Sequence, residues 1–124
     1  MKTILVVEDV SVSRRILVST LLPRGYEVAQ ASEGRAAIRL LTSDDTIAAA
    51  LIDLGLPDIS GEVIMRWIRR RERNEGAKRI PIVAITGYTD EKKHLSAMQS
   101  GADDVFVKPI MPHQLLGWLE GALS

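Results

Sequence analysis

Four polar clusters interrupt this 124-residue chain where short apolar runs end. They are Glu8-Asp9 after "TILVV", Asp53 after "AAALI", Thr86-Gly87 after "IPIVAI" and Lys108-Pro109 after "DVFV". An ionised Asp is costly to bury unless something pairs with it. Asp53 therefore either faces solvent at the end of its run or sits in a site built for charge. If the clusters meet, three carboxylates within roughly 5 Å repel by on the order of 3 kcal/mol per pair at an effective dielectric of about 20. Lys108 offsets part of this. Either one carboxyl keeps its proton at a raised pKa, or a cation is present. Hard carboxylate oxygens with no His or Cys beside them suit Mg2+. A magnesium ion held by few protein ligands keeps positions that phosphate oxygens fill. Lys108 and Thr86 add a cation and a hydroxyl donor for a phosphoryl group. An Asp is also a nucleophile toward phosphorus, forming an aspartyl-phosphate.

The elements that must hold these residues follow from hydrophobic period. The β-branched run 3–7 predicts a buried strand. From Ser11 to about Arg24, Ile16, Leu17, Thr20 and Leu21 share one helical face, and Gly25 closes that helix. "YEVAQA" (26–31) predicts a second strand. Ser32 is expected to cap a helix facing inward through Ala36, Ala37, Leu40 and Leu41. "AAALID" (48–53) is strand three. Ser60 caps a helix with Val63, Ile64, Trp67 and Ile68 inward, ending near residues 74–76. "IPIVAIT" (80–86) is strand four, with Pro81 at its start, where a missing N–H is tolerable. Asp90 opens a helix with Leu95 and Met98 inward, stopped by Gly101. "DVFVK" (104–108) is strand five, and Pro112 begins a last helix bearing Leu115, Leu116, Leu119 and Leu123. Strand–helix alternation, five times over, implies an α/β fold: a doubly wound parallel sheet with helices on both faces. In such sheets the strand C-termini share one edge, and ligands bind where strand order reverses. The four clusters are expected to converge there, with a rigid core strand holding Asp53 still.

Composition sets bounds. The length fits one domain, 1–124. Apolar residues make up 46% and charged residues 26%, typical of a globular protein. Formal net charge is zero, so no global field draws the molecule to nucleic acid or membrane. The lack of cysteine removes disulfides, thiolate zinc sites and thiol nucleophiles, and agrees with a cytoplasmic location. No apolar run approaches the roughly 18 residues of a membrane span.

The motifs "VVED" (6–9), "LIDLGLPDISG" (51–61), "PIVAITGY" (81–88) and "GADDVFVKP" (101–109), in this β-α rhythm, resemble the receiver domain of two-component response regulators. The likeness spans essentially the whole chain. It implies a flavodoxin-like fold with strand order 2-1-3-4-5. It implies that Asp53 accepts a phosphoryl group from the phosphohistidine of a sensor histidine kinase or phosphotransfer protein. Glu8, Asp9, Asp53 and the Gly55 carbonyl would hold Mg2+, Lys108 would pair with phosphoryl oxygens, and Thr86 would move its hydroxyl onto the group. The Lys108–Pro109 bond would be cis. A changed surface would then be offered to a downstream effector protein, the face of helix four, strand five and helix five by analogy. Catalysis would be limited to the domain's own phosphorylation and dephosphorylation. Three positions depart from the usual pattern. Glu8 stands where Asp is commoner, Gly55 gives no shielding side chain, and Val105 replaces the usual aromatic. Phe106 next to it points to the opposite face by strand parity.

Other readings remain beside this one. An aspartate-nucleophile phosphohydrolase would want a second acid where Gly55 stands. A flavin binder would want a phosphate cradle where "EDVSVS" is acidic. A phosphate-independent binding module, a segment of a longer regulator or hybrid kinase, and homodimerisation stay open. Tyr88 either lines the site mouth or is an exposed loop aromatic. The cations of residues 69–79 (Arg69, Arg70, Arg71, Arg73, Lys78, Arg79) read as a solvated helix end rather than a nucleic-acid patch. His94 and His113 have no ligand-spaced partners. Trp67 and Trp118 read as packing residues.

Overall fold

The computed structural model describes residues 2–87 and 89–124. Tyr88 lies outside the described residues. In chain order the elements are β1 (Thr3–Val7), α1 (Ser11–Leu21), a 3-10 turn (Leu22–Arg24), β2 (Glu27–Ala31), α2 (Gly34–Ser43), β3 (Ile47–Asp53), α3 (Gly61–Glu75), β4 (Ile82–Thr86), α4 (Glu91–Ser100), β5 (Asp104–Val107) and α5 (Pro112–Leu123). The strands form one parallel sheet in the order β2-β1-β3-β4-β5. This is the flavodoxin-like arrangement. Order reverses between β1 and β3, so their C-terminal ends lie side by side, with Val7 opposite Ile52.

The continuous apolar character of β1 and β3 follows from burial on both faces. Leu5, Val7, Ala50 and Ile52 pack under α2, α3 and α4; Ile4, Val6, Ala49 and Leu51 pack under α1 and α5. Val105 and Phe106 fall on opposite sides of the sheet, and Phe106 meets Trp118 edge-on at 6.3 Å. Trp67 packs against the first of these cores, with the Arg71 guanidinium 5.4 Å from its ring centroid.

The helices are held unequally. Fully burying an Ile or Met side chain contributes on the order of 2 kcal/mol. α3 inserts Ile64, Met65 and Ile68. α4 buries only Ala97 and Ser100, while Leu95 and Met98 stand 59% and 45% exposed. The expected inward face of α4 is thus corrected: the small residues lie underneath, and the larger apolar ones face out. Ile16 and Val63 are likewise exposed rather than inward, with Leu17, Leu21, Ile64 and Met65 doing the packing. α1 ends at Leu21, and the 3-10 turn carries the chain to Gly25 at φ 87°.

Two other expectations change. Ser32 does not cap α2. The helix starts at Gly34, and the Asp58 carboxylate, arriving from the β3–α3 loop, accepts from the N–H groups of Gly34 (2.8 Å) and Arg35 (3.0 Å). Arg69 is not part of a solvated helix end. It is 8% exposed and donates to Glu72 (2.9 Å), Asp103 (3.0 Å) and the carbonyls of Gly101 (3.0 Å) and Ile80 (2.8 Å). Glu72 and Asp103 also accept from the N–H groups of Ile80 and Ile82, both at 2.8 Å. A buried guanidinium needs this many acceptors to offset lost hydration.

Candidate functional site: an acidic cluster at the sheet's C-terminal edge

Each site residue is set by the end of a strand. Glu8 and Asp9 directly follow β1, Asp53 is the last residue of β3, Thr86 the last of β4, and Lys108 the first beyond β5. The sheet hydrogen bonds continue to this edge. Glu8 N–H donates to Ala31 (3.0 Å), Leu54 N–H to Ile85 (2.9 Å) and Lys108 N–H to Thr86 (2.8 Å). The Lys108–Pro109 bond is cis.

The loop after Asp53 is shaped by two features. Ser60 caps α3 by accepting from Val63 N–H at 3.3 Å. Gly61 lets the first turn of α3 sit against the strand end, because a Cβ there would lie 2.4 Å from the Asp53 carbonyl oxygen. Asp58 ties the same loop to α2.

At the centre, Lys108 Nζ lies 2.6 Å from Asp53 Oδ2 and 2.6 Å from Glu8 Oε1. Asp53 Oδ1 accepts from Gly55 N–H at 2.7 Å. Glu8 is fully buried and Asp53 5% exposed, while Asp9 faces solvent. One carboxylate oxygen from each of the three acids lies within 4.8 Å of the others. Arg14 donates to the Glu8 backbone carbonyl at 2.8 Å and anchors α1 beneath the acidic pair. Thr86 is buried one residue beyond the Asp53–Ile85 level.

The electrostatics are unequal. Burial, then hydrogen bonding to Asp53, pushes the Glu8 carboxyl up to about 7, against the opposing pull of Lys108. Burial also raises Asp53, but the hydrogen bonds with Glu8, Lys108 and Gly55 outweigh it and hold the carboxyl below its usual range. Burial lowers Lys108, and the two carboxylates more than reverse that. Retention of a proton is thus favoured on Glu8 over Asp53. Despite its close ion-pair contact, Glu8 Oε1 has no well-directed hydrogen bond. A buried, unsatisfied carboxylate oxygen beside two further hard oxygen donors fits a small divalent cation, with Mg2+ the natural choice.

The structure thus brings together Glu8, Asp9, Asp53, the Gly55 N–H and Lys108, with Thr86 buried at the end of the neighbouring strand. Val105 is half-buried on the side of the sheet that packs under α2–α4. Sequence reasoning missed Arg14 and Asp58. Arg14 carries no periodic signal. Asp58 stands in a Pro-Asp turn, a composition that marks a bound loop end without naming its partner.

A parallel α/β sheet with an ionised strand-end carboxylate, a bridging lysine and a cation-fitted acid pair defines a class of flavodoxin-like signalling domain. The chain belongs to the response regulator receiver domain family, whose description matches residues 4–120. The transcriptional regulatory protein GltR of Pseudomonas aeruginosa is 32% identical over 122 residues, covering 98% of this chain and 49% of that protein. The chain spans about half the length of such regulators (49% of GltR, 51% of a Mycobacterium tuberculosis KdpE). The chemotaxis protein CheY homolog of Campylobacter jejuni is 30% identical, with 98% of this chain and 92% of that protein covered. Among solved structures, the receiver domain of Saccharomyces cerevisiae Ssk1, in complex with the histidine phosphotransfer protein Ypd1, superposes with a TM-score of 0.90 at 26% identity. The match covers 98% of this chain and 88% of that one.

Proposed function

We propose that Asp53 is the phosphoacceptor of a phosphorylation-dependent switch. The observation that carries this is the Lys108 ammonium held 2.6 Å from both Asp53 and Glu8 at the end of a buried strand. Asp53 Oδ attacks phosphorus of a donor phosphohistidine in line. The P–N bond breaks and its electron pair returns to the imidazole, which takes up a proton. The product is an aspartyl-phosphate. The donor is a sensor histidine kinase or a phosphotransfer protein, the role that Ypd1 fills beside Ssk1. Glu8, Asp9, Asp53 and the Gly55 carbonyl hold Mg2+, which when bound neutralises charge on the transferring group. Lys108 leaves its carboxylate partners for the phosphoryl oxygens, and the Thr86 hydroxyl donates to them.

Gly55 keeps the approach to Asp53 open, since a Cβ there would meet only Asp53 Oδ1, at 3.5 Å. No second acid stands at that place to act as a general acid, which disfavours turnover as a phosphohydrolase. The work is signalling rather than conversion of a substrate, and the setting is cytoplasmic. The phosphoryl group switches the molecule only so far as it binds the active arrangement better than the resting one.

The test is incubation with a small phosphodonor, with Mg2+ or with EDTA, followed by intact mass. The wild type should gain one phosphoryl group with Mg2+ only, and Asp53→Asn should gain none. Equal labelling of the variant would overturn the assignment.

A further inference from the structure

α4 is the least anchored helix of the fold by apolar burial, yet its inner side is stitched to α3 by charge. Glu62, Arg66 and Arg69 stand at i, i+4 and i+7 on α3 and so line one face. Each reaches the C-terminal half of α4 or the turn after it. Glu62 accepts from the Ser96 hydroxyl. Arg66 Nη1 donates to Ser100 Oγ at 3.0 Å. Arg69 Nε donates to the Gly101 carbonyl at 3.0 Å, and its Nη2 to Asp103 at 3.0 Å.

The three contacts differ in kind. The Arg69 end is fixed. Its guanidinium is buried between two carboxylates, and Gly101 lies so close that an added Cβ would be 2.7 Å from Arg69 Cγ. Leaving that charge unpaired is strongly unfavourable. The Ser96–Glu62 contact lies between half-buried side chains, and Arg66 is exposed. Water substitutes at small net cost for a lost partner of Ser96, Glu62 or Arg66, while the Ser100 hydroxyl is buried and its contact is the tighter half of the pair. Ser96 and Ser100 are also i, i+4, so one displacement of the helix loosens both hydroxyl contacts together.

We propose that the Glu62–Ser96 and Arg66–Ser100 pairs are a releasable latch on α4, and that the Arg69–Gly101–Asp103 cluster is the pivot about which α4 moves when it opens. Thr86 ends β4 and the α4 cap Asp90 follows four residues later, and the proposal couples movement of the Thr86 hydroxyl to the start of α4. That coupling rests on the phosphoacceptor reading; the latch itself does not. Opening re-aims the exposed Leu95 and Met98, the surface a partner would read.

The test uses Ser96→Ala with Ser100→Ala, leaving α3 and the buried Arg69 untouched. Alanine is the better helix former, so if the hydroxyls were mere surface groups α4 would exchange its amides more slowly. The latch predicts the reverse sign. In hydrogen–deuterium exchange of the unphosphorylated chain, amides of 91–100 should exchange about tenfold faster, with β1, β3 and α5 unchanged. Arg66→Ala, which removes one partner from the other side, should speed the same peptides. Unchanged or slower exchange in α4, or equal acceleration throughout the chain, would overturn the proposal. A small phosphodonor added to the Ser96→Ala/Ser100→Ala variant separates the two readings. Faster Asp53 labelling than in the wild type supports the coupling, and unaltered labelling with a loosened α4 overturns the coupling alone. Absence of labelling in both proteins refutes the phosphoacceptor assignment and leaves the exchange result to decide the latch.

Discussion

Replacing Glu8 by Gln should stabilise the metal-free protein at alkaline pH and weaken its response to Mg2+. Glu8 is fully buried, and its carboxyl is raised from 4.5 to about 7. The folded chain therefore keeps a proton that the unfolded chain has released throughout that window. Stability must fall as pH rises from 4.5 through 7. A shift of that size corresponds to about 3 kcal/mol when fully expressed, and about 2 kcal/mol of it develops between pH 5 and pH 8. Asp53 moves the other way, but its change is complete below pH 5, so the window isolates Glu8. A neutral amide has no such term, and Lys108 keeps its 2.6 Å partner in Asp53. Thermal unfolding of both proteins at pH 5 and pH 8, with EDTA, checks this. The wild type should lose roughly 5–10 °C relative to Glu8→Gln on going to pH 8. Groups common to both proteins cancel in that difference. Millimolar Mg2+ should restore the wild type at pH 8 and shift the variant much less. Parallel pH slopes for the two proteins would refute the reasoning, because Glu8 would then not be titrating in the window.

Arg69→Ala should destabilise the fold by about 3 kcal/mol, since it removes a buried guanidinium that joins Glu72, Asp103 and two backbone carbonyls, although Asp103 keeps Arg79 at 2.6 Å; urea unfolding with an unchanged m-value reads this. Gly61→Ala should cost about 2 kcal/mol or more, because its Cβ would collide with the Asp53 carbonyl. It should also slow labelling of Asp53, which distinguishes it from a helix-propensity change elsewhere in α3.

The alternation of short apolar runs with helical periods was enough to specify a parallel α/β sheet. Buried parallel strands such as β1 and β3 must be apolar without interruption, so the carboxylates at their ends stand out in the sequence. Because every strand runs parallel, the C-terminal ends that carry Glu8, Asp53 and Lys108 share one edge. The sequence could not show which half of a helical stripe turns inward when small residues lie beside larger ones. α4 buries Ala97 and Ser100 and exposes Leu95 and Met98, so its small residues face the sheet. It could not reveal partners that are local in space but distant in the chain. Asp58 caps α2 in place of Ser32, and Arg69 finds Asp103 across 34 residues. It also left the proton's place open, since which of two neighbouring acids is charged depends on burial and on a lysine set by the fifth strand. Periodicity and strand-end chemistry are local properties of the chain; desolvation and pairing come into being only when distant segments meet.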